Sequence, residues 1–321
     1  MKKGAKRRTL AGITSIVGTL LTFSIVGGII ADENEATIND QLKAETSKVV
    51  VEAGHENDDT TYYKTSYGDH TFSVENWNAL RKDTIEQTKN EMREGAALLY
   101  NQKSALPLKS TETKVTLLGH ASVDPVYKAS SAGNKVNETS TDKINLKEAL
   151  EADGISVNND IWEALKAGTA VRGEMKASWS GMSLAATGSA KGSEENSAFY
   201  DNLKSKIGDY NQVAIITLAR EGAEGTDMKM DDEDDEGGQT GSISSLSLHK
   251  NELDLLKYAK DNFSKVIILL NSPYQMEVEG IKEYADSILY IGEPGLTGFA
   301  GVADILTGKT NPSGRLVDTY A

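Results

Sequence analysis

Val266-Ile267-Ile268-Leu269-Leu270-Asn271 is the stretch whose reading decides the fold. An unbroken apolar run rich in β-branched residues and closed by Asn271-Ser272-Pro273 predicts a strand over 266–270. Working outward, apolar periodicity predicts a helix over 253–263 and a strand over 213–218 on one side. On the other side it predicts a helix over 276–284, a strand over 288–291 and a helix over 296–306 before Gly308. Further upstream, Lys114-Val115-Thr116-Leu117-Leu118 reads as a short buried strand with Gly119 marking a tight exit. A helix over 146–153 stops at Gly154 and leads into a strand at Ile155-Ser156-Val157, and Trp162 and Leu165 suggest another short helix. Strands alternating with helices in this rhythm predict an α/β fold: a mostly parallel sheet with helices on both faces, layered like a flavodoxin.

Two regions interrupt the rhythm. Between 74 and 100 the positions Leu80, Ile85, Met92, Ala96 and Leu99 recur at near-helical spacing, so a helix is expected there, ending on Leu98-Leu99-Tyr100 ahead of a turn at Pro107. Residues 168–197 are rich in Gly, Ser and Ala, with Trp179 and Met182 as bulky anchors, and read as a long surface loop.

The amino terminus reads as an address. Lys2, Lys3, Lys6, Arg7 and Arg8 precede an uncharged run over 9–31, and Asp32 opens a polar stretch. A basic head and an apolar run about long enough to cross a bilayer predict a signal peptide cleaved after Ala31 or a retained anchor, with everything after Asp32 outside the cytoplasm. The chain then divides into residues 1–31 (signal or anchor), 32–75 (a polar spacer with Tyr62, Tyr63 and Tyr67) and 76–321 (the α/β body).

Composition excludes several classes. With 48 acidic against 34 basic residues among 321, the chain has a formal charge of -14, which argues against nucleic acid as a partner. No cysteine is present, which removes disulfides, thiol catalysis and Cys-based zinc sites. His55, His70, His120 and His249 are scattered without helical metal spacing, so no metal site is expected. No G-x-G-x-x-G follows a strand and no G-x-x-x-x-G-K-[ST] occurs, so a nucleotide-phosphate cradle is unsupported and no cofactor is expected.

In a parallel sheet the ligand crevice lies outside the carboxyl ends of the strands. The loop Ala219-Arg220-Glu221-Gly222-Ala223-Glu224-Gly225-Thr226-Asp227 follows one such end, with two acids set between glycines. Two readings stand at this point. Asp and Glu beside Gly are common in solvated turns, and a carboxyl group on such a loop is also suited to partial desolvation for acid work. The acidic run 231–236, followed by Gly237-Gly238, fails the EF-hand spacing because the twelfth position from Asp232 is Ile243, so a solvated flap is expected.

Three ordered stretches carry a resemblance. Glu94-Gly95-Ala96-Ala97-Leu98-Leu99-Tyr100-Asn101 with Leu106-Pro107-Leu108 comes first. Tyr290-Ile291-Gly292-Glu293-Pro294-Gly295 after Asn271 comes second. The third is Ala303-Asp304-Ile305-Leu306-Thr307-Gly308-Lys309-Thr310-Asn311-Pro312-Ser313-Gly314-Arg315-Leu316. Together they resemble the α/β sandwich domain, normally C-terminal, of glycoside hydrolase family 3. The export segment directly ahead resembles the subgroup in which the sandwich precedes the (β/α)8 barrel, and the chain is expected to end before that barrel.

The resemblance implies a retaining β-glycosidase, β-glucosidase-like, whose nucleophile and acid/base carboxyl groups stand about 5–5.5 Å apart. It implies that the nucleophilic Asp belongs to the barrel, and no Ser-Asp-Trp context for it occurs among Trp77, Trp162 and Trp179. It aligns Glu224 with the family's acid/base Glu and gives Asp227 a role in positioning the loop or accepting a sugar hydroxyl. Arg220 is expected either to orient that loop against an acid or to form a structural salt bridge. Asp124 and Tyr127 are expected on the sugar side, beside a turn that is glycine-rich in the family and reads Lys128-Ala129-Ser130-Ser131-Ala132-Gly133 here. That departure keeps a second reading open, a non-catalytic carbohydrate-binding or scaffold module of the same fold. An unrelated flavodoxin-like binding domain is a third.

Overall fold

A computed structural model describes residues 2–42, 73–128, 142–172, 175–180, 183–188, 194–223, 231–233, 242–244 and 246–320. The chain divides into two units, Met1–Thr65 and Ser66–Ala321. In the first, α1 (Lys2–Glu33) is followed by α2 (Glu35–Leu42). The apolar part of α1, Ala11–Glu33, has 23 residues. At the α-helical rise it is about 35 Å long, enough to cross a hydrocarbon core of about 30 Å. Its hydroxyls bond within the helix: Thr19 Oγ1 donates to the Ser15 carbonyl at 3.0 Å and Thr22 Oγ1 to that of Gly18 at 2.9 Å. Such internal bonding suits a helix with no water at its sides. The tyrosine cluster of the spacer lies outside the described residues.

The second unit runs α3 (Val74–Gly95), β1 (Ala97–Asn101), β2 (Lys114–Leu118), α4 (His120–Val123), α5 (Leu146–Ala152), β3 (Ser156–Val157), α6 (Asn159–Lys166), β4 (Met175–Ser180), β5 (Ser183–Gly188) and α7 (Ser197–Leu203). It continues through β6 (Val213–Ala219), β7 (Asp231–Glu233), β8 (Ser242–Ser244), α8 (Lys250–Asn262), β9 (Lys265–Asn271), α9 (Glu279–Lys282), β10 (Ser287–Tyr290) and α10 (Phe299–Leu306). Six strands form one sheet in the order β1-β10-β9-β6-β2-β3, all parallel except β1, which runs antiparallel to β10.

The pleat divides the core in two. Val213, Ile215, Ile267, Leu269 and Leu289 pack with Leu146 and Leu150 of α5 and with Phe299 and Val302 of α10. Their sequence neighbours Ala214, Ile216, Leu218, Val266, Ile268 and Leu270 pack with Ile161 of α6, Tyr200 of α7 and Leu255 of α8. Every residue of β6 and β9 is buried, which is why these strands read as continuous apolar runs. The expected α/β sandwich is the observed one.

The motifs at the two ends of this unit touch. The Gly314 amide donates to the Ala96 carbonyl at 3.1 Å, and a Cβ added at Gly314 would stand 2.2 Å from the Gly95 carbonyl oxygen. Asp304 of α10, almost fully buried, accepts from Arg93 Nε at 2.7 Å and lies 3.3 Å from Lys89 Nζ, clamping α10 to α3.

Four expectations change. The helix expected over 74–100 stops at Gly95, and Ala97–Asn101 is a strand, because pairing with β10 decides an apolar run that periodicity leaves ambiguous. The loop expected over 168–197 contains the hairpin β4–β5 and ends in buried Glu194 and Glu195. Only Glu279–Lys282 of the helix expected over 276–284 is helical. Part of the acidic flap, Asp231–Glu233, pairs with Ser242–Ser244 as a short antiparallel ladder.

Candidate functional site

The sheet has one point where its winding reverses. From β2 the chain steps outward to β3, then returns past β2 to place β6 on the other side and continue to β9 and β10. The crevice therefore lies outside the carboxyl ends of β2 and β6. Gly119 turns the chain there at φ +88, and a Cβ on it would come 2.9 Å from the Thr217 carbonyl oxygen, so glycine alone permits this exit into α4.

An inner layer of charge supports the crevice. Arg220, 1% exposed, donates from its two terminal nitrogens to the Glu252 carboxylate at 2.6 and 2.8 Å, and also to the carbonyls of Ala219 and Ser247. Glu252 accepts from the His249 amide at 2.9 Å as well, so one carboxylate caps α8 and ties it to the end of β6. Burial works to raise the Glu252 carboxyl, but the Arg220 charge and hydrogen bonds, helped by His249, outweigh it and hold the group below its ordinary range. Glu194 is also buried and accepts from the His120 amide at 2.8 Å, from the Glu195 amide at 2.8 Å and from the Tyr200 hydroxyl. Here burial wins over these donors, with Glu252 adding to it, and the carboxyl is pushed up to about 7. Neighbouring Glu195 accepts from the Thr169 and Ala170 amides and so fixes the chain leaving α6.

Above this layer three loops meet. The Asp124 carboxylate, 51% exposed, lies 3.6 Å from His120 Nε2 and 3.4 Å from Arg172 Nε. Burial tends to raise it, but His120 and Arg172 together bring it below the usual carboxylate range. Arg172 Nη1 also donates to Glu221 Oε2 at 2.6 Å. His120, Arg172, Glu194, Thr217, Ala219 and Glu252 line a small cavity at this point. Tyr127 turns its ring into the core, edge-on to Phe299 at 5.7 Å with Lys143 Nζ 4.5 Å from its centroid. Burial, then Glu148 and Asp124, raise its hydroxyl above the usual range. The Tyr127 carbonyl accepts from the Gly295 amide at 2.7 Å, joining the loops after β2 and β10.

Among the residues expected from the sequence, Asp124 and Arg220 stand at this crevice, Tyr127 packs into the core against Phe299, and Glu224, Asp227 and the stretch 129–141 lie outside the described residues. Arg172, Glu194 and Glu252 were not expected. Glu252 carried a signal, standing at the third helical position after His249, where a carboxylate returns to cap the helix.

Residues 96–321 match the model of the glycosyl hydrolase family 3 C-terminal domain. The chain belongs to glycosyl hydrolase family 3. Among curated relatives, a beta-glucosidase of Ruminococcus albus is 28% identical over 248 residues, covering 76% of this chain and 23% of the relative. Beta-glucosidase A of Butyrivibrio fibrisolvens is 27% identical over 243 residues, 71% of this chain and 27% of the relative. The chain thus spans about a quarter of the length of these family 3 relatives. Beta-glucosidase 3B from Thermotoga neapolitana, in complex with glycerol, has the same fold over 73% of this chain and 30% of its own, with a TM-score of 0.52 and 24% identity.

Proposed function

We propose that this family 3 chain supplies the acid/base half of a retaining β-glycosidase acting on β-glucosides, and that the nucleophile stands on a (β/α)8 barrel elsewhere in the whole protein. The supporting observation is the convergence at the carboxyl end of β6. Glu221, three residues before Glu224 in the chain, pairs with Arg172, which also faces Asp124, at the reversal of the sheet.

In this reading Glu224 protonates the leaving oxygen as the glycosidic bond breaks, then takes a proton from the water that releases the glycosyl-enzyme. Asp124, charged and half open to solvent, accepts a sugar hydroxyl, and Asp227 accepts another or steadies the loop. Tyr127 shapes the wall from behind, and Arg220 holds the root of the loop to α8. The helix α1 exports the chain and keeps this half at the outer face of a membrane. That these relatives are beta-glucosidases supports the substrate class.

Replacing Glu224 by Gln in the barrel-containing enzyme tests the reading. Turnover of β-glucosides with poor leaving groups should fall about a hundredfold or more, while activated aryl glucosides keep their first step. An equal, negligible effect on both classes removes Glu224 from the mechanism and leaves a binding module of the same fold.

A further inference from the structure

Just after β6, Glu221 and Gly222 are held from two sides. Glu221 is 7% exposed and bonded to Arg172 at 2.6 Å on one side. On the other side Gly222 lies so close to the next loop that an added Cβ would stand 2.6 Å from Pro273 Cγ and 3.3 Å from the Tyr274 ring. The chain therefore passes through a gap between a guanidinium and a proline. Connectivity allows no more than about 11 Å between the Cα atoms of Glu221 and Glu224.

Arg172 is itself braced. The backbone just ahead of it is held by the Glu195 carboxylate through the Thr169 amide and the Ala170 amide at 2.7 Å, and its Nε faces Asp124 at 3.4 Å. One side chain thus joins the loops after β2, α6 and β6. Arginine suits this place because a planar fork can face two carboxylates at once, which a lysine ammonium does with less directional control.

We propose that Arg172 is a positioning residue for the acid/base loop, its guanidinium held between Asp124 and Glu221 so that the loop carrying Glu224 starts from a fixed course. This rests on the acid/base reading of Glu224.

The test compares Arg172→Met, Arg172→Lys and Glu221→Gln with Glu224→Gln in the barrel-containing enzyme. Arg172→Met and Glu221→Gln should lower kcat/KM for alkyl β-glucosides about tenfold or more and leave that for dinitrophenyl β-glucoside within about twofold, while kcat and KM for the latter fall together as release of the glycosyl-enzyme slows. Arg172→Lys, which keeps the charge and serves if the methionine variant does not fold, should recover part of the loss. In the 321-residue chain, amide exchange of peptides covering 221–228 should quicken in Arg172→Met while those covering 213–219 stay protected. An equal loss of kcat/KM on both substrates, or unchanged exchange at 221–228, overturns the positioning role. A flat response in Glu224→Gln overturns the acid/base reading, and the positioning role with it.

Discussion

The side-chain amide of Asn271 pairs with the backbone of Val126 in both directions, Oδ1 accepting from its N–H at 2.8 Å and Nδ2 donating to its carbonyl at 2.8 Å. Nδ2 also donates to the Gly292 carbonyl at 2.6 Å. A fully buried residue at the end of β9 thus fastens the loops after β2 and β10. Asn271→Ala leaves three buried backbone groups without these bonds and should cost about 3 kcal/mol, seen as a lower urea midpoint at unchanged slope. Asn271→Asp should cost more, because it sets a carboxylate oxygen against two carbonyls.

Glu252→Gln keeps the shape at Arg220 and removes the charge that balances it. Breaking such a buried pair from one side costs about 3–5 kcal/mol, whereas replacing both partners by apolar residues recovers most of it. Thermal unfolding of Glu252→Gln and of the double variant Arg220→Met/Glu252→Leu should show the single change to be the more damaging.

Stability should depend on pH in two opposed ways. The Glu252 carboxyl lies below its ordinary range in the folded chain, so its contribution is present above the unfolded value and is lost as the pH falls through the folded one. Glu194 is raised from 4.5 to about 7, so the folded form holds this proton more tightly than the unfolded chain does. Between those values stability should fall by about 1.4 kcal/mol per pH unit as the pH rises. The two contributions together should be greatest near the ordinary Glu value of 4.5, and Glu194→Gln should flatten the decline above it. A profile that keeps rising to neutral pH would contradict the raised Glu194 carboxyl.

Gly119→Ala combines a positive φ with a Cβ 2.9 Å from the Thr217 carbonyl oxygen. The expected loss is about 2–3 kcal/mol by thermal unfolding. Because the next amide donates to Glu194, the same change should also shift the pH dependence attributed to that carboxyl.

Ala11–Glu33 exceeds the 7–15 residue apolar core usual in a cleaved signal peptide. The expressed chain should therefore stay with membranes through alkaline extraction and keep its basic head. An amino terminus at Asp32 would show cleavage instead.

The strands β2, β6, β9 and β10 were legible because burial on both faces leaves one reading for an apolar run. Leu98-Leu99-Tyr100 was not, since local pattern is silent on whether β10 offers a partner. The crevice was half legible. Gly119, Asp124 and the Glu221–Asp227 loop follow predicted strands, so the rule about carboxyl ends finds them. Arg172 and Glu194 flank a Gly/Ser-rich stretch, and only the packing of α6 and α7 brings them beside His120 and Glu221. Arg220 carried no mark of its burial, because its partner lies 32 positions away on α8.

The margins of the sheet have a consequence of their own. One edge is the two-residue strand β3, and the other is β1, whose register with β10 shifts between Leu98 and Tyr100. Neither edge presents a long, regular row of backbone donors and acceptors for a strand from another copy. A strand from another copy would find only a short or irregular row of partners at either margin.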